Sequence, residues 1–148
     1  MSGKSPQQPA GRFPPGKLQR IGAAAGTVSA LIHLFSAIGG LLMPEIPASF
    51  YGEAAFQVST FFLGLGVFQL AWVWVLLRSG NRLLLAFGVL GYLGSILVYF
   101  VSLGTPLPFG VPQQRITESS AFAFTTKIVE VVFVASSLSL LKSRVRTS

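Results

Sequence analysis

Residues 54–103 read AAFQVSTFFLGLGVFQLAWVWVLL-RSGNR-LLLAFGVLGYLGSILVYFVSL. Two uncharged runs, Ala54 to Leu77 and Leu83 to Leu103, flank a short turn with an arginine at each end. Each run reaches the roughly 20 apolar residues needed to cross a ~30 Å hydrocarbon core as a helix. Lipid offers no water to backbone N–H and C=O groups, so an unbroken helix is the structure that satisfies them. Barrel strands would be shorter and would alternate polar with apolar residues, and these runs do not. The turn Arg78-Ser-Gly-Asn-Arg82 is tight, so the two helices are expected to form an antiparallel hairpin.

Two further runs flank this hairpin. Ile21 to Met43 carries no charge unless His33 is protonated, and Ser119 to Leu141 is interrupted only by Lys127 and Glu130. Pro44, Pro47 and Gly52 stop the first helix, and Pro106, Pro108, Gly110 and Pro112 fill the longest loop. Thr117 and Glu118 are a start signal for the last helix. The expected fold is all-α, an integral membrane four-helix bundle running antiparallel, up-down-up-down. Its helices span about 18–43, 54–78, 82–103 and 118–142, within a transmembrane domain over 18–142. A flexible cytoplasmic tail over 1–17 and a short basic tail over 143–148 complete the chain.

Composition agrees. Of 148 residues, 51% are hydrophobic and only 10% charged, against about 25% charged in an ordinary soluble domain. So little charge cannot cover a soluble fold, and lipid must cover the rest. The net charge of +7 is split among the ends of the apolar runs, which leaves no basic stripe for nucleic acid and suits phospholipid headgroups. With no cysteine, disulfides, thiolate metal sites and thiol chemistry are excluded. Residues 1–20 are polar, contain prolines and lack the small-residue cleavage site of a signal peptide, so the first apolar run is expected to stay in the protein.

Orientation follows from Lys and Arg. The first tail carries Lys4, Arg12, Lys17 and Arg20, the middle turn Arg78 and Arg82, and the C-terminus Lys142, Arg144 and Arg146. These nine of the eleven basic residues share one side if the chain crosses four times. The opposite loops hold Arg115 with Glu45, Glu53 and Glu118. The positive-inside rule then places both termini in the cytoplasm and the protein in the cell (inner or plasma) membrane.

Membrane helices meet through small and polar residues, because lipid already satisfies apolar ones. Residues at three- and four-residue spacing mark one face per helix. These are Gly22, Gly26, Ser29, His33, Ala37 and Gly40 on the first, and Glu53, Gln57, Thr60 and Gly64 on the second. Gly88, Gly91, Ser95 and Ser102 mark the third, and Ser120, Ala123, Lys127, Glu130 and Ser137 the fourth.

His33, Lys127 and Glu130 lie deep in their spans. An ionised Lys or Glu at a helix centre costs roughly 2.5–3.5 kcal/mol, so these three are expected to pair in a buried polar cluster. Gln57, Thr60 and Ser95 are the candidates to support it. Glu45, Glu53, Arg115 and Glu118 are candidates for an outer-loop patch. One histidine and one carboxylate are too few for a metal site, which wants three or four ligands, and permit at most single-histidine haem ligation. No metal or cofactor is implied by this chain alone. No Asp exists and the only histidine lies mid-span, so nucleophilic catalysis finds no support among the serines.

A longer pattern runs from His33 through Pro44-Glu45, Phe61-Phe62, Phe68-Gln69-Leu70-Ala71-Trp72 and Leu76-Leu77-Arg78. It continues with Asn81-Arg82-Leu83-Leu84-Leu85, Gly88, Ser102, Pro106, Pro108-Phe109-Gly110 and Glu130. Over about Leu31 to Leu141 it resembles a family of uncharacterised small membrane proteins of bacteria and archaea with four transmembrane helices. The resemblance implies fold and topology and carries no activity. Family members often have a second histidine after Pro-Glu. Here Ile46 follows Pro44-Glu45, which weakens any metal-binding implication.

Three functions fit these features. The first is a non-catalytic structural or accessory subunit of a larger membrane complex, with lipid and either copies of itself or other membrane subunits as partners. The second is a small transporter or proton- or ion-conducting module using His33, Lys127 and Glu130. The third is a membrane redox or metal-associated protein whose ligands a partner completes. Small size and the want of a catalytic set favour the first.

Overall fold

A computed structural model describes residues 16–43, 55–79, 81–106 and 121–145. They form four helices, α1 (Lys17–Leu42), α2 (Ala55–Arg78), α3 (Arg82–Gly104) and α4 (Ala121–Val145), with no strand among the described residues. All four are long and apolar enough to cross a membrane. The shortest has 23 residues, which at 1.5 Å per residue is about 35 Å. The described part of the last helix runs Ala121–Val145, three residues past the expected end at 142, and its expected start, with Thr117 and Glu118, lies outside the described residues.

The distribution of side chains is the reverse of a soluble domain. Phe35, Leu42 and Leu83 stand more than 70% exposed. Ser29, His33, Gln69, Ser95, Lys127 and Glu130 are buried. In water that arrangement would waste the apolar surface and strand the polar groups. In lipid the outward apolar surface costs nothing, and the polar groups must find each other.

Gly26 is where α1 meets the other three helices. A Cβ there would come within 2.7 Å of Val73 Cγ2 and 2.8 Å of both Phe133 Cδ2 and the Tyr92 hydroxyl. Gly66 does the same for α2, since its Cβ would lie 2.7 Å from Leu34 Cγ and 3.1 Å from the Ala30 carbonyl. These glycines let α1 and α2 form the most extensive interface in the bundle. Contacts along it run Gly22 with Leu76, Gly26 with Val73, then Ala30 and Leu34 with Gly66. Gln19, at the start of α1, adds a hydrogen bond of 3.2 Å from its Nε2 to the Leu76 carbonyl.

Of the four main interfaces, the thinnest is between α2 and α3, the helices joined by the shortest connection. The stacked rings of Phe68 and Trp72, with centroids 4.6 Å apart, sit in that seam against Gly91 and Gly88 and hold the two backbones apart. Trp72 Nε1 still ties them by donating to the Leu84 carbonyl at 2.8 Å. Asn81 caps α3, its Oδ1 accepting from the Leu83 and Leu84 N–H groups at 2.9 and 3.3 Å. Below the polar layer, Tyr92 and Phe133 stack with centroids 3.9 Å apart, fully buried with Leu76, Leu85 and Val73 around them.

Candidate functional site

Depth along the helices brings the polar residues to one layer. His33 and Ser95 each lie nine residues before the end of their helix, and Glu130 lies nine residues after the start of α4. That is about 14 Å of rise in each case. A polar group that deep lies far from the headgroups and is satisfied chiefly by its neighbours.

Glu130 is the hub, at 0% exposure. Its Oε1 accepts from Ser29 Oγ at 3.1 Å, Gln69 Nε2 at 2.9 Å and Ser95 Oγ at 3.0 Å. Its Oε2 takes Lys127 Nζ at 2.6 Å, one turn away on the same helix, and Ser95 Oγ at 3.3 Å. His33 Nε2 stands 3.8 Å from Oε1. All four helices therefore contribute to one carboxylate. Lys127 also donates to Ser95 Oγ at 3.0 Å and lies over the Tyr99 ring, 5.6 Å from its centroid.

Gln69 is the linker. Its Oε1 accepts from Ser29 Oγ at 3.1 Å and pairs with His33 Nδ1 at 2.9 Å, while its Nε2 serves Glu130. The amide therefore joins the histidine to the carboxylate. The Tyr92 hydroxyl donates to the Gln69 backbone carbonyl at 3.4 Å, which fixes α2 at the same level. On its other side the His33 ring packs against Phe62, with centroids 5.5 Å apart.

The structure thus brings His33, Lys127 and Glu130 together, with Ser95 beside them. It corrects the other two supporting residues. Gln57 and Thr60 are exposed, as is Gly64, and Thr60 Oγ1 donates to the Phe56 carbonyl of its own helix at 2.9 Å. The buried face of α2 is instead Val58, Ser59, Gly66, Gln69, Val73 and Leu76. At 3.6 residues per turn, Thr60 and Gln69 point to opposite sides, so only one can face the bundle. Gln69 wins because it sits at mid-depth, where its amide has no other partner. Thr60 needs none, since a helical threonine can satisfy itself on the preceding turn.

Gln69 and Ser29 are the members that sequence reasoning missed as site residues. Ser29 lies one turn before His33 and reads in the sequence as a small packing residue. Gln69 was the single amide in the middle of an apolar span, and that isolation was the available signal. The outer-loop candidates Glu45, Glu53, Arg115 and Glu118 lie outside the described residues.

Among the described residues no three His, Cys, Asp or Glu side chains come together. The chemistry on offer is that of a carboxylate held by one ammonium and several neutral donors, with an imidazole at its edge. Comparison of the chain with protein-family models, with curated proteins and with solved structures finds no match.

Proposed function

We propose that this chain is a four-crossing protein of the inner or plasma membrane and a non-catalytic structural or accessory subunit of a larger membrane complex. The observation that supports this best is the closure of the polar cluster on itself. Glu130 is completely buried, and both its oxygens are taken by residues of the same chain. The cluster draws one residue or more from each helix, so its effect is to lock the rotation and depth of all four. Buried polar groups that fix register are a known way of specifying one arrangement of helices.

The proposed topology is up-down-up-down with both ends cytoplasmic. The order of contacts supports the alternation, because partners on α2 move backward as α1 moves forward. The basic residues at the start of α1 and in the turn between α2 and α3 support the orientation. Membership of the small bacterial and archaeal four-helix family is part of the proposal, supported by the residue pattern quoted above.

Gentle extraction from native membranes followed by native mass measurement tests the subunit reading. A species containing this chain with other membrane proteins is the expected result. Recovery of monomers or homo-oligomers alone would overturn it.

A further inference from the structure

His33 is the only histidine of the chain, and the groups around it determine where its protons sit. Nδ1 lies 2.9 Å from Gln69 Oε1. An amide oxygen only accepts, so Nδ1 is the nitrogen that carries hydrogen. The amide itself is oriented from its other end, where Nε2 donates to Glu130 Oε1 at 2.9 Å. Turned over, it would set its oxygen against a carboxylate oxygen, two acceptors with no hydrogen between them.

That leaves Nε2 of His33, 3.8 Å from Glu130 Oε1. In a neutral ring with hydrogen on Nδ1, this nitrogen presents a lone pair to a carboxylate. Add one proton and the same contact becomes an imidazolium facing its counter-ion. The neighbour needed by the bound proton is therefore already in place, and the neighbour needed by the bare nitrogen, a donor, is not what Glu130 offers.

The geometry points to a proton-binding site inside the bilayer, one exchangeable proton carried on His33 Nε2 with Glu130 as its counter-ion while Gln69 anchors the ring through Nδ1. Binding takes the ring from neutral to singly charged: an N–H bond forms at Nε2 as an O–H bond of hydronium breaks, and release reverses both. The proton comes from water and returns to it.

The groups facing His33 set the balance. From α4, Glu130 favours the bound proton and Lys127 opposes it, but Lys127 is bonded to Oε2 and His33 faces Oε1, so the two cations occupy different oxygens. From α2 come the uncharged Gln69 and the Phe62 ring. From α3, Ser95 donates to the carboxylate, the Tyr92 hydroxyl donates to the Gln69 backbone, and Tyr99 lies beneath Lys127. On α1, Ser29 Oγ has one proton to share between Gln69 Oε1 and Glu130 Oε1. This inference goes beyond the structural reading, because a clamp needs no exchangeable proton.

The test uses the full chain in lipid nanodiscs with nitrogen-15 in histidine, so that every ring signal belongs to His33. Ring-nitrogen shifts report tautomer and charge from about pH 4 to about pH 9, the range over which an imidazole titrates. The expected result is Nδ1 protonated throughout and Nε2 gaining its proton as the pH falls. Glu130→Gln should weaken that binding by about tenfold or more, the effect of losing an opposite charge at this range. Lys127→Met should strengthen it, since it removes the opposing ammonium. A ring with hydrogen on Nε2 and none on Nδ1, or one that takes up no second proton across the range, overturns the inference in the unmodified chain alone. So does a titration with the same midpoint in Glu130→Gln.

Discussion

Neutralising Glu130 should destabilise the bundle more than removing both charges of its ion pair. Lys127 Nζ lies 2.6 Å from Glu130 Oε2, with side chains 10% and 0% exposed. Glu130→Gln keeps the shape and deletes the charge, leaving the ammonium with Ser95 Oγ at 3.0 Å and the Tyr99 ring. Removing one member of a buried pair costs about 3–5 kcal/mol. An unpaired charge at a helix centre costs about 2.5–3.5 kcal/mol on insertion scales. The two figures overlap near 3 kcal/mol, which is the loss expected for Glu130→Gln and, by the same argument, for Lys127→Met. The double substitution strands neither charge and should cost about 1 kcal/mol, the value of an ordinary hydrogen bond. The assay is unfolding by denaturing detergent in mixed micelles, followed through the fluorescence of Trp72 and Trp74. A double variant as unstable as the two single losses added together would refute the reasoning, because the charges would then not be stabilising one another.

Four other substitutions probe the packing and the polar layer, each read by the same unfolding assay. Gly26→Val should cost about 1–3 kcal/mol by overpacking, since even its Cβ meets three helices. Gly64→Ala should be neutral or stabilising by up to about 1 kcal/mol, since nothing lies within 4 Å of the added carbon. Gln69→Leu strands the His33 Nδ1 hydrogen and removes a donor from Glu130, at about 1–3 kcal/mol for a buried group left unsatisfied. Trp72→Phe keeps an aromatic ring on Phe68 but loses the bond to Leu84, and should cost about 1 kcal/mol.

Much of this arrangement is legible in the order of residues, and the exceptions have a common cause. Four helices follow from run length, because lipid leaves the backbone no alternative. The faces of α1, α3 and α4 can be read from Gly26 and His33, from Gly88 and Ser95, and from Lys127 and Glu130, because each run has one strip of residues that lipid would not satisfy. The second helix has two such strips. Gln57, Thr60 and Gly64 make one, and Ser59, Gly66 and Gln69 make the other. Spacing ranks them equally. Depth separates them, since Gln69 is at the level of Glu130 while Gln57 is near a helix end. Depth can be counted from the ends of each run, but that Gln69 shares a level with Glu130 is seen only when the helices are set side by side. The seam between α2 and α3 is a second example. The short turn makes these helices neighbours, but the Phe68 and Trp72 rings keep their backbones apart.

The proposed fold has four crossings with the basic ends on one side, and the absence of cysteine makes that arrangement directly measurable. Gly16→Cys and Ser79→Cys mark the start of α1 and the end of α2, while Met43→Cys and Thr105→Cys mark the ends of α1 and α3. Each single-cysteine protein is exposed to a membrane-impermeant maleimide in intact cells and then in inverted vesicles. In that arrangement Met43→Cys and Thr105→Cys label only from outside the cell, and Gly16→Cys and Ser79→Cys label only from the cytoplasmic face. Labelling of Ser79→Cys from the same side as Met43→Cys would contradict it.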